Sequence, residues 1–478
     1  MTRHTLSPLF DPQSIVLVSQ HAPFLRQALD VPGTAALTEA SFDADGNAVL
    51  GPLAGVAAGE RPDLALIAVP AAQLPQALAA LAAVRPRAAV VYGDAPAEAG
   101  EACRNWAQAH DCVLIGPQAF GLQRPHAGLN ASLHPRLARA GRVALVAQSG
   151  GIMAAVMDWA EDTRTAFSLA VAPGDSATAD LPAILDFLAS DPHTDSIALY
   201  LEQVGQAREF MSALRAAASA KPVVVLKAGR AEGAPSASRL PPDTVFDAAL
   251  RRAGALRVHF FVQLFSTIKA LNQLTRPRGR RLAVLANASG PVRLAQDAIA
   301  QQQAITSATL ASDTKRLLAE LLSPAAQVGN PVIEPAPLAA ATVAQCIQHL
   351  TADSGVDGIL LLLTPDMRSD LPGIAAQLAQ CVPQSRKPII ACLMGDASMR
   401  RLRRRLADTG VPSFRAPETA ADAFGQLARF HYNQQLLLQT QPPENEAAAP
   451  DLQAARSVIA QARAAGRCEL DDEQARRL

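Results

Sequence analysis

Gly141-Arg142-Val143-Ala144-Leu145-Val146-Ala147-Gln148-Ser149-Gly150-Gly151 is the stretch whose reading decides the fold. A short apolar run, Val143 to Val146, ends in a Ser-Gly-Gly turn and passes straight into the apolar segment Ile152–Trp159. That order reads as a buried strand, a tight turn and a helix. Gly279-Arg280 leads through Leu282-Ala283-Val284-Leu285 to Ser289-Gly290 and repeats it. Each copy continues with an aspartate before an apolar run: Asp195 before Ile197–Leu201, and Asp357 before Ile359–Leu363. Each then reaches a Lys-Pro strand closed by glycine, Lys221-Pro222 to Gly229 and Lys387-Pro388 to Gly395. The pattern predicts a duplicated α/β architecture. A helix that starts in Ser-Gly aims backbone N–H groups at whatever sits before it. Gln148, Ser149, Gly150 and Gly151 are therefore a candidate phosphate nest, or else an ordinary tight turn.

Outward from the repeat, Ser14–Ser19, Leu64–Val69, Ala88–Tyr92 and Val113–Ile115 read as further buried parallel strands, with helices such as Gln73–Ala83 between them. Buried strands joined by right-handed helical crossovers make doubly wound sheets, with ligands at the carboxyl ends of the strands. Three consecutive α/β domains are expected, over 1–138, 139–275 and 276–440. A Pro- and Glu/Ala-rich linker and a helical tail then fill 441–478. The tail is too short to bury a core of its own and reads as the start of something further.

The 478 residues carry 43 basic and 43 acidic side chains, a net charge of zero. That gives no electrostatic case for nucleic acid or an anionic membrane as partner. Arginine far outnumbers lysine, which reads as coding bias. The apolar fraction of 49% with only 4% aromatic leaves Ala and Leu to supply the cores. No run approaches 18 apolar residues, and Met1 to Phe10 holds no signal-peptide core. Cys103, Cys112, Cys346, Cys381, Cys392 and Cys468 form no C-x-x-C pair, and the nine histidines show no metal-ligand spacing. A cytoplasmic protein without a metal site is expected.

Gly116-Pro117-Gln118-Ala119-Phe120-Gly121 reads as a second tight turn after a strand, its glycines allowing close approach to a ligand. Glu202 ends the Ile197–Leu201 run, where a carboxylate faces either the crevice or solvent. Glu334 has a weaker case, and His126 and His134 read as surface residues. The basic run Arg401-Leu402-Arg403-Arg404-Arg405 reads as a solvated helix face. No P-loop and no G-x-G-x-x-G occurs.

Taken together, these segments resemble the NDP-forming acyl-CoA synthetase superfamily. Its members include ADP-forming acetyl-CoA synthetases, succinyl-CoA synthetase α-subunits and bacterial protein lysine acetyltransferases that carry a synthetase-like region. The resemblance rests on Ile115 to Leu122, Gly128-Leu129-Asn130-Ala131-Ser132, Ala147 to Gly151 and Asp158-Trp159-Ala160. It continues in Pro173-Gly174-Asp175-Ser176, Leu199-Tyr200-Leu201-Glu202, Lys227-Ala228-Gly229-Arg230, Phe246 to Gly254 and Asn330-Pro331-Val332. Gly128 to Ser132 and Asp158 to Ala160 look nearest the acetyltransferase-associated branch.

The resemblance implies a Rossmann-like CoA-binding domain followed by two flavodoxin-like ligase domains. It implies CoA or acetyl-CoA contacts at Ser19, Gln20, Val69, Pro70, Gly93, Gly116, Pro117 and Gln118. It also implies a phosphoryl group cradled at Gln148, Ser149, Gly150 and Gly151, with Glu202 as the carboxylate that orients a phosphoryl-carrying histidine.

The sequence departs from this pattern in three places. The window Ala231 to Pro242, where the family keeps its histidine, has none, and no histidine occurs between Thr194 and Val258. Neither serine nor arginine replaces an imidazole as phosphoryl carrier at neutral pH. The first turn, Val18 to Phe24, lacks the family's glycines. No ATP-grasp or acetyltransferase domain follows within the sequence, so no ATP site is expected. The expectation is a CoA-binding module without phosphoryl transfer of its own, regulatory in an acyl-CoA or protein acetylation system. Its possible partners are an ATP-grasp subunit, an acetyltransferase domain or a second copy of the chain. The alternative is a working α-subunit paired with a separate ATP-grasp chain.

Overall fold

A computed structural model describes residues 4–19, 25, 36–42, 48–49, 59–93, 97–163, 165–175, 178–229, 242–438, 451–467 and 469–477. The chain divides into two compact units, Met1–Leu437 and Leu438–Leu478. In the smaller unit, the Asp451 carboxylate caps the helix Leu452–Ala464 by accepting from Gln453 N at 3.0 Å and Ala454 N at 2.9 Å. A short helix, Asp472–Arg477, follows.

The large unit is built on three mostly parallel sheets. The first uses β1 (Ser14–Ser19), β2 (Ala36–Glu39), β5 (Leu64–Ala68), β6 (Ala88–Tyr92) and β7 (Val113–Ala119) in the order β2-β1-β5-β6-β7. A separate small hairpin pairs β3 (Ser41–Phe42) with β4 (Ala48–Val49). The expected helix at Gln73–Ala83 spans Leu74–Val84, after a 3-10 turn at Ala71–Gln73. The central strands β5 and β6 are runs of Ala, Leu, Ile and Val, with Tyr92 closing β6, as strands covered by helices on both faces require.

The second sheet contains β8 (Gly121–Arg124), β9 (Leu129–Ser132), β10 (Arg139–Ala147), β11 (Ala166–Ala172), β12 (Ser196–Leu201), β13 (Val223–Lys227) and β14 (Leu256–Val258). Their order is β14-β13-β12-β10-β11-β8-β9. Here the turn expected at Gly116–Gly121 needs correction. It does not lead from strand to helix: β7 runs on to Ala119, and the chain enters the antiparallel hairpin β8–β9, which pairs with β11. The segment before residue 139 thus closes the edge of the second sheet.

This hairpin also carries the buried Arg124. Its guanidinium donates to Asp191 at 2.8 and 2.9 Å, to Asp11 at 3.0 Å and to Ser168 O at 3.1 Å. An apolar cluster containing Leu66 and Val90 of the first sheet with Leu122, Leu169 and Leu199 of the second packs the two sheets together.

The third sheet holds β15 (Arg281–Ala286), β16 (Thr306–Ser307), β17 (Val332–Ile333), β18 (Gly358–Leu363), β19 (Ile389–Leu393) and β20 (Ser413–Phe414), ordered β16-β15-β18-β19-β20, with β17 also on β15. Read from β20, this order matches β14-β13-β12-β10-β11. The duplication therefore holds in three dimensions. Asp195 N donates to Arg142 O and Asp357 N to Arg281 O, each at 2.7 Å. Arg142 Nε and Arg281 Nε reach the same two aspartates at 2.8 Å. Lys221 Nζ and Lys387 Nζ donate to Asp191 O and Asp353 O, each at 2.6 Å.

One part of the repeat shifts. Strand register equates Arg142 with Arg281, not Arg280, and so Ser149 with Ala288 and Gly150 with Ser289. The strand pairing and its ion pair set the register, and the second Ser-Gly begins one residue deeper in its helix.

On the outer edge of β15, between the two short strands β16 and β17, the Asn330 carboxamide takes the place of backbone. Its Oδ1 accepts Val284 N at 2.9 Å, and its Nδ2 donates to Leu282 O and Ala308 O at 2.9 Å.

Candidate functional site

The carboxyl ends of β10, β12 and β13 converge because these strands are neighbours in parallel register, with Ala147 beside Tyr200 and Leu201 beside Lys227. Gln148 follows β10 and its side chain reaches across to β12. Its Oε1 accepts from Glu202 N at 2.5 Å and Gln203 N at 2.9 Å, while its Nε2 donates to Gln203 O at 2.9 Å. From the other side, Lys227 Nζ donates to Glu202 O at 2.7 Å and Ala228 O at 2.6 Å. Backbone contacts on both flanks thus fix the position from which the exposed Glu202 carboxylate projects. Tyr200 donates its hydroxyl to Glu202 Oε1 at 3.2 Å. Burial and the nearby carboxylate raise the Tyr200 phenol above its ordinary value, so it stays protonated and a donor.

The helix Gly150–Thr163 begins immediately beyond Gln148. Ser149 caps it: its Oγ accepts Ile152 N at 3.3 Å. The Gly150 and Gly151 N–H groups have no acceptor among the described residues, as the first turn of a helix leaves them. Gly150 lies tight against Phe120, where a Cβ would stand 2.9 Å from the Phe120 Cβ. At Gly151 the nearest atom to such a Cβ is Ser149 Oγ at 3.8 Å. The turn is therefore open on the Gly151 side and walled by Phe120 on the other. The equivalent position in the third sheet, Ala288, makes no side-chain cap. There Asn287 repeats the Gln148 clamp, with Oδ1 accepting Thr364 N at 2.9 Å and Nδ2 donating to Thr364 O at 3.0 Å. Threonine stands where Glu202 stands in the first copy, so only the first copy offers a carboxylate.

The residues expected to meet CoA line one sheet edge. Ser19 ends β1, and Val69 with Pro70 and Gly93 follow the carboxyl ends of β5 and β6; the three strands are neighbours. Gln20 lies outside the described residues, as do residues 230–241. Gly93 has φ +84° and a Cβ there would meet nothing within 4 Å, so the backbone is open to close approach. Gly116 and Pro117 are buried, whereas Gln118 is exposed in the left-handed region at φ +61°. This irregular end of β7 is pinned on three sides: Gly116 N donates to Pro173 O at 2.8 Å, Gln118 N to Gly93 O at 3.1 Å and Asp175 N to Pro117 O at 3.0 Å. Gly174, at φ +65°, fits only without a Cβ, which would overlap Pro117 O.

Other candidates resolve into structural roles. Glu334 is 3% exposed and accepts Ser323 N and Oγ at 2.7 Å and Ala336 N at 2.8 Å. Burial works against its ionisation, but these donors prevail and hold the carboxyl below its usual range. His126 stacks on His193 with ring centroids 4.5 Å apart and contacts Gly141 O at 2.7 Å, tying the β8–β9 hairpin to β10. Burial pushes the Cys346 and Cys392 thiols up to about 12, which removes them as nucleophiles. Among the described residues no helix is long and apolar enough to cross a membrane.

Two residues of the site went unassigned in the sequence. Lys227 closes a strand and belongs to a segment of the family resemblance, but neither gives it a role in the site. His259 directly follows β14, and Val258 pairs beside Leu226, so His259 shares the carboxyl edge with Lys227 and Glu202. At about 4.8 Å per strand its backbone lies roughly 10 Å from that of β12. Only the strand order could have revealed this, since 57 positions separate the two residues in sequence.

Residues 140–271 match the family described as succinyl-CoA ligase like flavodoxin domain. The chain is 31% identical over 384 residues to acetate–CoA ligase [ADP-forming] I of Archaeoglobus fulgidus, covering 78% of this chain and 55% of that one. It is 27% identical to the α-subunit of acetate–CoA ligase [ADP-forming] I of Pyrococcus furiosus, over 77% of this chain and 82% of that one. The chain thus spans little more than half of the Archaeoglobus relative. Among solved structures, the apo form of the dinucleotide forming acetyl-coenzyme A synthetase 1 of Ca. Korarchaeum cryptofilum superposes with a TM-score of 0.81 at 22% identity. That match covers 93% of this chain and 100% of that one and shows a shared fold.

Proposed function

From the premise that the chain belongs to the NDP-forming acyl-CoA synthetase superfamily, we propose that it binds CoA or acetyl-CoA without transferring phosphoryl groups itself. The ligand lies along the carboxyl edge of the first sheet and reaches the Gly150–Gly151 turn past Phe120. The chain then serves as a regulatory module of an acyl-CoA or protein acetylation system in the cytoplasm. One observation carries this reading. The stretch from Thr194 to Val258 contains no histidine, and the carboxylate that would orient one, Glu202, accepts the Tyr200 hydroxyl instead. CoA, when bound, supplies the thiol that carries the acyl group. The protein's own contribution is to hold it: open backbone at Gly93, the pinned Gln118 turn, and N–H groups aimed at an anion. Calorimetric titration with acetyl-CoA should give a saturable isotherm, while acetyl-CoA, ADP and phosphate together should give no turnover. A flat isotherm overturns the reading.

The second reading is a working α-subunit whose ATP site comes from a separate ATP-grasp chain. The position of His259 on the carboxyl edge favours it, as does the α-subunit name of the Pyrococcus relative. In that case an imidazole nitrogen of His259 would take the phosphoryl group of an acyl phosphate, releasing the carboxylate and its own proton. Radiolabelled acyl phosphate should then leave acid-labile phosphate on the wild-type chain and none on His259→Ala. An unlabelled wild-type chain, together with acetyl-CoA binding, leaves the first reading standing.

A further inference from the structure

The helix Met399–Asp408 follows β19 and carries the basic run that reads from sequence as a solvated face. One of its arginines is not solvated. Arg403 is buried at 8% exposure and donates to Leu393 O at 2.7 Å and Gly395 O at 2.5 Å, capping the carboxyl end of β19. It also pairs with Asp396, which accepts from Arg400 at 2.5 Å and has Arg415 at 4.0 Å. A single carboxylate therefore faces three guanidinium groups. Arg401, Arg404 and Arg405 are exposed and form no ion pair among the described residues. Between 396 and 418 there are six arginines against Asp396, Asp408 and Glu418, an excess of three positive charges in a chain of net charge zero.

We propose that the exposed face of this helix, with Arg400, Arg401, Arg404, Arg405 and Arg415, is a docking surface for an acidic polypeptide segment of a partner chain. Residues 400, 401, 404 and 405 lie one turn apart in two pairs, so they form a strip about 8 Å long rather than a pocket. A strip suits an extended run of carboxylates better than a compact phosphate, and Asp396 already fills the point where the guanidinium groups converge. Arginine rather than lysine suits carboxylates because its planar fork binds them two-pronged. A lipid surface is the poorer match. Met399 and Leu406 are buried, and the helix exposes no large apolar side chain to insert between acyl chains. The buried Arg403 anchors the strip by fixing the helix to the end of β19. The surface uses none of the residues assigned to CoA or phosphate, so it stands or falls separately from the proposed function.

The test is titration of a labelled oligoglutamate peptide into the full chain, read by fluorescence anisotropy at low and physiological salt. Binding should weaken with salt, and R401E/R404E/R405E should weaken it by about tenfold or more, as loss of three exposed pairs implies. The milder R401Q/R404Q/R405Q should lie between, with circular dichroism and acetyl-CoA titration unchanged in both variants. Peptide affinity that ignores these substitutions overturns the proposal. So does tighter retention by vesicles of anionic phospholipid, or by inorganic tripolyphosphate, than by the peptide.

Discussion

The side-chain carbonyl of Gln148 accepts the backbone N–H of Glu202 at 2.5 Å, and this contact ties the turn that begins one helix to the strand end that carries the carboxylate. With the Gln203 contacts it makes three hydrogen bonds from one amide. At a net 0.5–1.5 kcal/mol for a typical bond, and with the group partly solvated, Gln148→Ala should cost about 1–2 kcal/mol in urea denaturation. It should also weaken acetyl-CoA binding by calorimetry, because the Gly150 turn loses its lateral support. Unchanged stability would mean that water replaces the clamp.

Gly174 and Gly116 sit in left-handed backbone where a Cβ would overlap Pro117 O and Val91 O respectively. Gly174→Ala should destabilise the chain by about 1–3 kcal/mol and displace the Gln118 turn. Gly93→Ala, whose Cβ points into open space, should cost only its backbone strain yet impair ligand binding. Parallel melting and calorimetry on the two variants separate folding from recognition.

Arg124 and Asp191 are a buried, two-pronged pair with Thr194 donating to the same carboxylate at 2.6 Å. Removing one partner strands the other charge, so Arg124→Leu should cost about 3–5 kcal/mol. Arg124→Leu combined with Asp191→Leu should recover part of that loss. Chemical denaturation of the single and double variants measures the coupling.

The same pair predicts acid sensitivity. Burial alone would raise the Asp191 carboxyl, but hydrogen bonds from Arg124 and Thr194 outweigh it and hold the group at about 2, below its ordinary 3.8. The folded state therefore binds this proton less readily than the unfolded chain. The stabilisation is complete above about pH 4 and is lost as pH falls toward the folded value. Thermal melts from pH 5 to 2 should fall more steeply for the wild type than for Asp191→Asn.

Much of this was legible beforehand. Continuous Val, Leu, Ile and Ala runs identify strands buried on both faces, and the Lys-Pro and Asp landmarks identify the duplication, because each marks a contact that both sheets make. What stayed hidden depended on partners distant in sequence. Gly116 to Gly121 contains only local turn chemistry, whereas its path into β8 is decided by pairing with β11, some 50 residues on. The Ser-Gly likeness at Ser289 misled for the same reason: letters align, but register is set by strand neighbours. Arg403 reads as one of five alike, and only the end of β19 distinguishes it.

A two-residue strand on either side of Asn330 would ordinarily leave the middle of β15 with free backbone donors and acceptors, ready to recruit a strand from another molecule. By filling that gap with one carboxamide, the third domain seals its border without the length of chain a full strand needs. Leu282 O is also reached by Ala308 N, so it is the Val284 N–H whose safeguard against intermolecular β-pairing rests on that side chain, and self-association under stress should begin where it is lost.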